Sequence, residues 1–232
     1  MEVRPVGCPP VVVTISAAYG AGGGFVGPQV AERLGVAFVD RAVTAAVAAE
    51  IAERVEEVAG FEEHLGEGIS HWLSCFTNAS GPWGITTGPA EWFHDEAGYK
   101  RHVASVLHRE AGRGAVVLGR GAQVVLADVP WALHVRLDGP VERRIGQAAE
   151  LGGLDETAAR RAQHRTDTAR HRYFHRLYGG NVADPRYYHL VIDSTAVPWA
   201  SCVDIVVAAV HGRDELRRLD DVADGGPAAT ET

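Results

Sequence analysis

Residues 11–27 read VVVTISAAYGAGGGFVG, and this stretch decides the fold. Val11 to Ile15 is an apolar run rich in β-branched residues, which predicts a buried β-strand. A glycine-dense loop follows, and the residue spacing from Gln29 to Leu34 predicts a helix. A strand, a glycine loop and a helix in this order aim backbone N–H groups and a helix N-terminus at an anion, so the stretch predicts a phosphate-binding loop.

The loop lacks the charged residues of the Walker pattern, G-x-x-x-x-G-K-[ST]. When this pattern is laid on the chain, its first glycine falls on Ala17 and its lysine falls on Gly23. The hydroxyl residue falls near Gly24 or Phe25, and the chain's one lysine, Lys100, is far from the loop in sequence. Positive charge for a bound phosphate must therefore come from arginine side chains, or the backbone must bind the phosphate unaided.

Two other interpretations of the loop remain open. Gly22, Gly24 and Gly27 fit the pattern G-x-G-x-x-G, and Asp40 then stands where a ribose-binding acid ends the second strand of a dinucleotide-binding oxidoreductase. A strand-to-helix turn without any ligand is the other interpretation. We favour phosphate binding, because a single three-glycine match carries little information in a chain with 27 glycines.

The composition indicates a globular protein that acts on small molecules. The net charge of −8 argues against a duplex nucleic acid as partner. The three cysteines are few and far apart, which predicts neither a disulfide framework nor a zinc site and favours a reducing, cytoplasmic location. We expect no signal peptide and no membrane association, since no run approaches the roughly 20 apolar residues of a membrane span.

The remaining elements predict one α/β domain over residues 11–219, after a leader at 1–10 and before a disordered tail at 220–232. Further strands are predicted at residues 36–39, 115–118, 131–137 and 188–193. A helical insert over about 42–112 is predicted to contain helices at 42–59, 61–76 and 91–112 and a loop at 77–89, and Trp199 to His211 is predicted as the closing helix. Apolar strands that alternate with helices predict a parallel sheet covered on both faces.

Arginines near the predicted sheet are candidates for the missing positive charge. Arg120 stands between two glycines at the end of a predicted strand, where open α/β sheets bind ligands. The helical stretch from Leu154 to Tyr178 contains six arginines, among them Arg165 and Arg170. A solvated, salt-bridged helix face would have the same composition, but together with the glycine loop the stretch predicts a lid that brings guanidinium groups over a polyphosphate.

Six segments in order give the chain a family resemblance: ISAAYGAGGG, LGVAFVDR, VVLGRGA, HVRLDGPVERRI, TDTAR and DPRYYHLVIDST. The chain resembles the cytidylate kinase-like branch of the P-loop nucleoside monophosphate kinases from about Val11 to Val210. The resemblance implies a three-layer P-loop NTPase-like α/β fold, with a five-stranded parallel sheet, helices on both faces, a helical insert and a lid over about 140–180. It also implies ATP-dependent phosphoryl transfer to a nucleoside monophosphate, CMP or dCMP, with Mg²⁺.

The resemblance assigns roles by position. Gly20, Ala21, Gly22, Gly23 and Gly24 would cradle the donor phosphates. The acceptor side would be formed by Asp40, Arg41 and Arg120. The catalytic set would comprise Arg120, Arg144, Arg165, Asp167 and Arg170.

The chain departs from its relatives in the loop itself. Members of this branch commonly have Arg-Glu where this chain has Ala17-Ala18, and Arg-Glu again where it has Gly24-Phe25. Removing one donor to the transition-state charge typically costs about 10²–10³ in rate. A catalytically impaired nucleotide-binding or regulatory protein on the same fold is therefore the alternative to an active kinase.

Overall fold

The computed structural model describes residues 9–39 and 96–224. The strands are β1 (Val12–Ala17), β2 (Ala37–Val39), β3 (Ala115–Leu118), β4 (Leu133–Asp138) and β5 (Leu190–Asp193). The helices are α1 (Gly23–Leu34), α2 (Glu96–Ala111), α3 (Ala122–Val125), α4 (Val141–Gly152), α5 (Glu156–Tyr178) and α6 (Trp199–Asp224), with a short 3₁₀ helix at Pro185–Tyr187.

The five strands form one parallel sheet in the order β2-β3-β1-β4-β5. The first strand is central, because Val13 is paired with Val116 of β3 on one side and with Leu133 of β4 on the other. The loop after β1 therefore leaves the sheet at its middle, at the carboxyl edge where open parallel sheets bind ligands.

Helices cover both faces of the sheet, as the alternating pattern predicts. On one face Val13 and Ile15 of β1 join a buried cluster with Val26 of α1 and Val206 of α6. On the other face Val12 belongs to a second cluster, which α2 and α3 complete. Strand β1 is buried on both faces, and its two polar residues, Thr14 and Ser16, are buried with the apolar ones.

The observed strands agree with the predicted ones in number, order and direction. The fourth strand begins at Leu133 rather than Trp131, and the fifth begins at Leu190 rather than Tyr188. The helix after the glycine loop begins at Gly23, ahead of the apolar spacing from which it was predicted. The predicted lid segment consists of α4 and α5, which pack against each other.

Several predictions fall outside the described residues. They concern the helices at 42–59 and 61–76, the loop at 77–89, the start of the helix predicted at 91–112, Asp40 and Arg41. Of that last helix the structure describes Glu96–Ala111, which agrees with the predicted end.

The predicted start of the disordered tail is wrong. Helix α6 continues to Asp224, whereas the sequence analysis ends the closing helix at His211 and begins disorder at Asp220. The sequence beyond His211 keeps helical spacing, with Leu216, Leu219 and Val222 three residues apart among charged helix formers. In residues 9–39 and 96–224, no helix has the length and hydropathy needed to cross a bilayer.

Candidate functional site

The glycine loop, residues 18–24, depends on glycine at two positions with left-handed backbone. Gly20 has φ 76° and Gly22 has φ 74°, a region that residues with a Cβ rarely adopt. A Cβ on Gly20 would overlap the backbone carbonyl of Arg144, and a Cβ on Gly22 would overlap the indole of Trp199. The glycines therefore allow α4 and α6 to approach the loop closely.

Four amide groups of the loop are available to a ligand. The backbone N–H groups of Gly20, Gly22, Gly23 and Gly24 donate to no atom of the described residues. The last two belong to the first turn of the 12-residue helix α1, where the helix dipole favours negative charge. Successive amides of this kind form an anion-binding concavity. The loop can thus bind an anionic group through its main chain alone.

Helix α5, which lies in the predicted lid segment, is held to the loop through Asp167. One carboxylate oxygen accepts a hydrogen bond from the backbone N–H of Tyr19 at 2.9 Å. The other oxygen accepts from Arg144 at 2.8 Å and from Gln163 at 2.9 Å. Burial alone would raise the pKa of Asp167, but these hydrogen bonds outweigh it and hold the pKa below its usual range. The carboxylate is therefore charged where it contacts the loop.

Arg144 joins the same contact from α4. Its Nη1 donates to the backbone oxygen of Tyr19 at 2.7 Å, and its Nε donates to the backbone oxygen of Gly139 at 2.9 Å. Only 6% of its side chain is exposed. Tyr19, Arg144 and Asp167 form a three-residue contact, here called the loop clamp, that fixes the backbone ahead of the four available amides.

Arg170 brings a second guanidinium to the loop. Its Nη1 donates to the backbone oxygen of Ala17 at 2.7 Å and lies 3.7 Å from Asp167 Oδ1. Burial raises the pKa of the Tyr19 hydroxyl, while the positive charges of Arg165 and Arg170 oppose that rise. Both lid arginines therefore lie close enough to the loop to influence its electrostatic potential.

Arg120 has the strained backbone that its position between glycines predicts. Its φ is 60°, the one positive φ of a non-glycine residue in the described segments. Such a conformation costs on the order of 1–3 kcal/mol and clusters at functional sites. The hydroxyl of Tyr178, at the end of α5, donates to the backbone oxygen of Arg120 at 2.9 Å and helps to hold the turn.

A cavity of about 780 Å³ lies beside the glycine loop. It is lined by Phe25 of α1, by Arg143 and Gln147 of α4, and by the segment from Ser194 to Trp199 that leads into α6. The rings of Phe25 and Trp199 contact each other, with centroids 5.1 Å apart. The Trp199 Nε1–H is buried and has no partner among the described residues. The lining of the cavity thus combines two aromatic rings, the cation of Arg143 and the carboxylate of Glu150, and the Trp199 Nε1–H lies beside Gly22 of the loop.

The structure brings part of the predicted site together. The glycine loop, Arg144, Asp167 and Arg170 share direct contacts, and Arg165 lies near Tyr19. Asp40 and Arg41 lie outside the described residues. Tyr19 and Trp199 were not among the predicted site residues, although Trp199 was predicted as the first residue of the closing helix.

Side chains for a bound magnesium ion are not preformed at this loop. In the described segments, no three His, Cys, Asp or Glu residues converge as a metal site. The Walker hydroxyl falls near Gly24 or Phe25, neither of which has a hydroxyl, and the nearby carboxylates of Asp138 and Asp167 are both bound to arginines. The residues that the structure describes around the loop therefore do not fit a protein-held magnesium ion, and an Mg²⁺ bound there would depend on ligands supplied by a nucleotide.

The chain matches the model of one protein family, and it is similar to several known proteins. The model of the cytidylate kinase-like family matches residues 12–196. A uronate isomerase from Corynebacterium glutamicum is 33% identical over 94 residues, which are 40% of this chain. This chain spans only 18% of the length of that isomerase.

Two solved structures are similar in backbone. An uncharacterized protein from Eubacterium ventriosum has a TM-score of 0.58 and 17% identity, over 87% of this chain and 98% of that chain. A gluconokinase from Sinorhizobium meliloti has a TM-score of 0.48 and 17% identity, over 91% of this chain and 97% of that chain. The five-stranded parallel α/β fold expected from the sequence is confirmed by the strand order and the family match.

Proposed function

The chain belongs to the cytidylate kinase-like family, and on that premise we propose that it transfers the terminal phosphoryl group of ATP to a nucleoside monophosphate, CMP or dCMP. The observation that supports this most strongly is the glycine loop, whose four available amides are fixed beside two lid arginines. A polyphosphate is the ligand that such a loop is suited to bind, because it presents several anionic oxygens to successive N–H groups.

The donor would lie across the loop with its base in the 780 Å³ cavity. The rings of Phe25 and Trp199 offer flat apolar surface to a purine, and Arg143 adds a cation to the lining. The buried Nε1–H of Trp199 would gain a hydrogen-bond acceptor when a nucleotide oxygen or nitrogen enters. We expect the loop to bind the phosphates and the cavity to bind the base of the same nucleotide.

The acceptor would bind at the carboxyl ends of β3 and β2. Arg120 would hold the acceptor phosphate, with Asp40 and Arg41 as further residues on that side. The strained turn at Arg120 supports this role, since residues with such backbone conformations cluster at functional sites. The preference for CMP or dCMP rests on the family alone.

In the transfer, an oxygen of the acceptor phosphate attacks the γ-phosphorus of ATP, and the bond to the β,γ-bridging oxygen breaks. Catalysis of this reaction consists mainly of positioning and of stabilising charge on the transferred group. The loop amides would hold the donor, while Arg165 and Arg170 would balance the charge that the uncharged loop leaves uncompensated. Arg144 and Asp167 would act by holding the loop and lid in place.

A second candidate is a nucleotide-binding protein without catalysis. The observation in its favour is that Arg144 and Arg170 already donate to loop carbonyls, so that closed contacts occupy guanidinium donors that a phosphate would use. Under this alternative, ATP or CMP would bind and the bond to the γ-phosphate would stay intact.

A coupled assay with ATP, Mg²⁺ and a panel of monophosphates tests the proposal. Turnover with CMP or dCMP that is lost in Arg120→Asn would support the kinase, because asparagine tolerates the positive φ while the long cationic side chain is replaced by a short neutral one. The matched control is Arg113→Asn, an exposed arginine just before β3. Calorimetric binding without turnover would favour the second candidate. Binding of NAD alone would favour the dinucleotide interpretation and overturn both.

A further inference from the structure

A second cavity lies at the opposite edge of the sheet from the glycine loop. It has a volume of about 360 Å³, and its walls include His134, His189, Arg186, Arg213, Gln123 and Pro130. His134 is the second residue of β4, and His189 immediately precedes β5. The cavity is thus at the amino ends of two parallel strands, whereas the glycine loop follows the carboxyl end of β1. Nothing in the proposed kinase reaction uses these residues.

Two histidines form one wall of this cavity. Their rings are stacked, with centroids 4.9 Å apart and planes inclined by 12°. The backbone N–H of His134 donates to Nδ1 of His189 at 2.9 Å, so the neutral His189 ring carries its proton on Nε2. Nδ1 of His134 is hydrogen-bonded to Thr14 Oγ1 at 2.8 Å. Within the described segments neither Nε2 has a partner, which leaves both for a ligand in the cavity.

Arg213 supplies a cation that no carboxylate of residues 9–39 and 96–224 balances. Its Nη2 donates to the backbone oxygen of Pro130 at 2.8 Å, while its buried Nε has no partner among the described residues. No ion pair joins Arg213 to a described acidic side chain, whereas the buried Arg136 and Arg144 are each paired with an aspartate. Its charge contributes to lowering the pKa of both imidazoles, after the effect of burial.

We propose that this cavity is a binding site for a small oxyanion, with Arg213 and the Nε2–H of His189 as its principal donors and Arg186 at its rim. The wall presents a guanidinium and an imidazole N–H but no unpaired carboxylate among the described residues, so a negatively charged oxygen is the chemistry it accepts. The volume is within the range of small-molecule sites and exceeds the space that one water molecule needs.

The experiment follows the histidine ring nitrogens by ¹⁵N NMR while inorganic phosphate or acetate is added to the full chain. This readout is local, which matters because phosphate is also expected at the glycine loop. Saturable shifts of the His134 and His189 signals would support the site. A response to phosphate alone would identify a phosphate site, and a response to both anions would identify a site for any small oxyanion.

Three variants test whether the histidine shifts come from an anion bound in this cavity. In Arg213→Gln the affinity for the anion should fall by about tenfold or more, as expected for the loss of a charged hydrogen bond. Arg186→Gln changes a side chain that is 87% exposed, so it keeps the fold and should weaken binding by a smaller factor. Arg33→Gln, at an exposed pair with Asp204 on the α1 side, should change nothing.

Two results would overturn the proposal. One is the absence of any shift at the two histidines over the full titration, with the protein folded. The other is the same shift and the same apparent affinity in the wild type and in both cavity variants, which would show an adventitious ion only.

Discussion

The carboxylate of Asp167 accepts a hydrogen bond from the backbone N–H of Tyr19, although 148 residues separate the two in sequence. Together with the hydrogen bonds from Arg144, this bond holds helix α5 against the glycine loop. Because the loop has no charged side chain of its own, its shape depends on groups that come from α4 and α5. Substitutions in the loop clamp therefore test whether these contacts hold the loop in place.

Replacing Asp167 with asparagine should destabilise the protein by about 1–3 kcal/mol, since it removes the carboxylate closest to the buried guanidinium of Arg144 and leaves only Asp138, whose Oδ1 lies 3.5 Å from the Arg144 Nε. Denaturant unfolding at neutral pH measures the change. The control is Glu142→Gln, which breaks the exposed pair with Arg160 on α4 and α5 and should have little effect. Equal stability of Asp167→Asn and the wild type would contradict the clamp.

The buried His134 should make stability depend on pH. Burial, with the neighbouring His189 and Arg213, lowers the pKa of His134 to about 4, whereas an unfolded histidine titrates near 6.5. The unfolded state therefore takes up the proton first, and the free energy of unfolding should fall by roughly 3 kcal/mol as pH drops from 6.5 to 4. Denaturant unfolding across this range measures the slope.

The variant His134→Gln should flatten that slope, with a smaller part remaining because the pKa of His189 is also lowered. His211→Gln, at an exposed position on α6, should keep the wild-type slope. Parallel slopes in the wild type and in His134→Gln would show that other groups cause the pH dependence.

Removing the guanidinium of Arg170 should weaken ATP binding by about tenfold. Arg170→Gln loses the contact of 2.7 Å to the Ala17 oxygen and a positive charge beside the loop. Arg160→Gln removes an arginine from the same helix at a site that pairs only with exposed glutamates, and it should bind ATP as the wild type does. Calorimetry measures the ATP affinity of each variant. An ATP affinity of Arg170→Gln equal to that of the wild type would show that Arg170 is not part of the ATP site.

Adding charge to the loop should raise turnover if the loop faces a triphosphate. Gly24 is the position for this test, because a Cβ there meets nothing within 4 Å. Gly24→Arg should increase kcat by up to about 10², the size of effect that one such donor has in other enzymes. Gly24→Gln is the neutral control. A Gly24→Arg protein that is folded but no faster than Gly24→Gln would count against the geometry.

The position of the Walker lysine behaves differently. A Cβ on Gly23 would lie 2.5 Å from the Ala17 Cβ and 3.2 Å from the Leu118 Cδ1. We therefore expect Gly23→Lys to unfold or displace the loop rather than to restore activity. In the sequence, Gly23 and Gly24 look equivalent. The structure distinguishes them, because Ala17 of β1 and Leu118 of β3 fill the space beside Gly23.

The glycine loop and the sheet could be predicted because their signals are local. A β-branched run, closely spaced glycines and the helical spacing of apolar residues act over a few residues, and the parallel sheet follows from the order of strands and helices. The boundaries were less accurate, as the end of α6 shows, because charged helix formers such as those after His211 also occur in disordered tails.

The loop clamp could not be predicted in full. Asp167 and Arg144 were chosen from the family resemblance, but Tyr19 takes part through its backbone, which any residue type provides. The stacked pair of His134 and His189 was not predicted either, because its formation depends on the fold rather than on a local sequence pattern. His134 and His189 are 55 residues apart, and only the register of β4 with β5 brings them together.

The most direct test of the account is a titration of ¹⁵N-labelled protein with ATP, observed at the backbone amides of Gly20, Gly22, Gly23 and Gly24. We predict large, saturable shifts of these four amides with one common dissociation constant, while the amide of Tyr19 stays bonded to Asp167. If ATP binds and these four signals do not move, the central claim that the main chain of the loop holds the phosphates is contradicted.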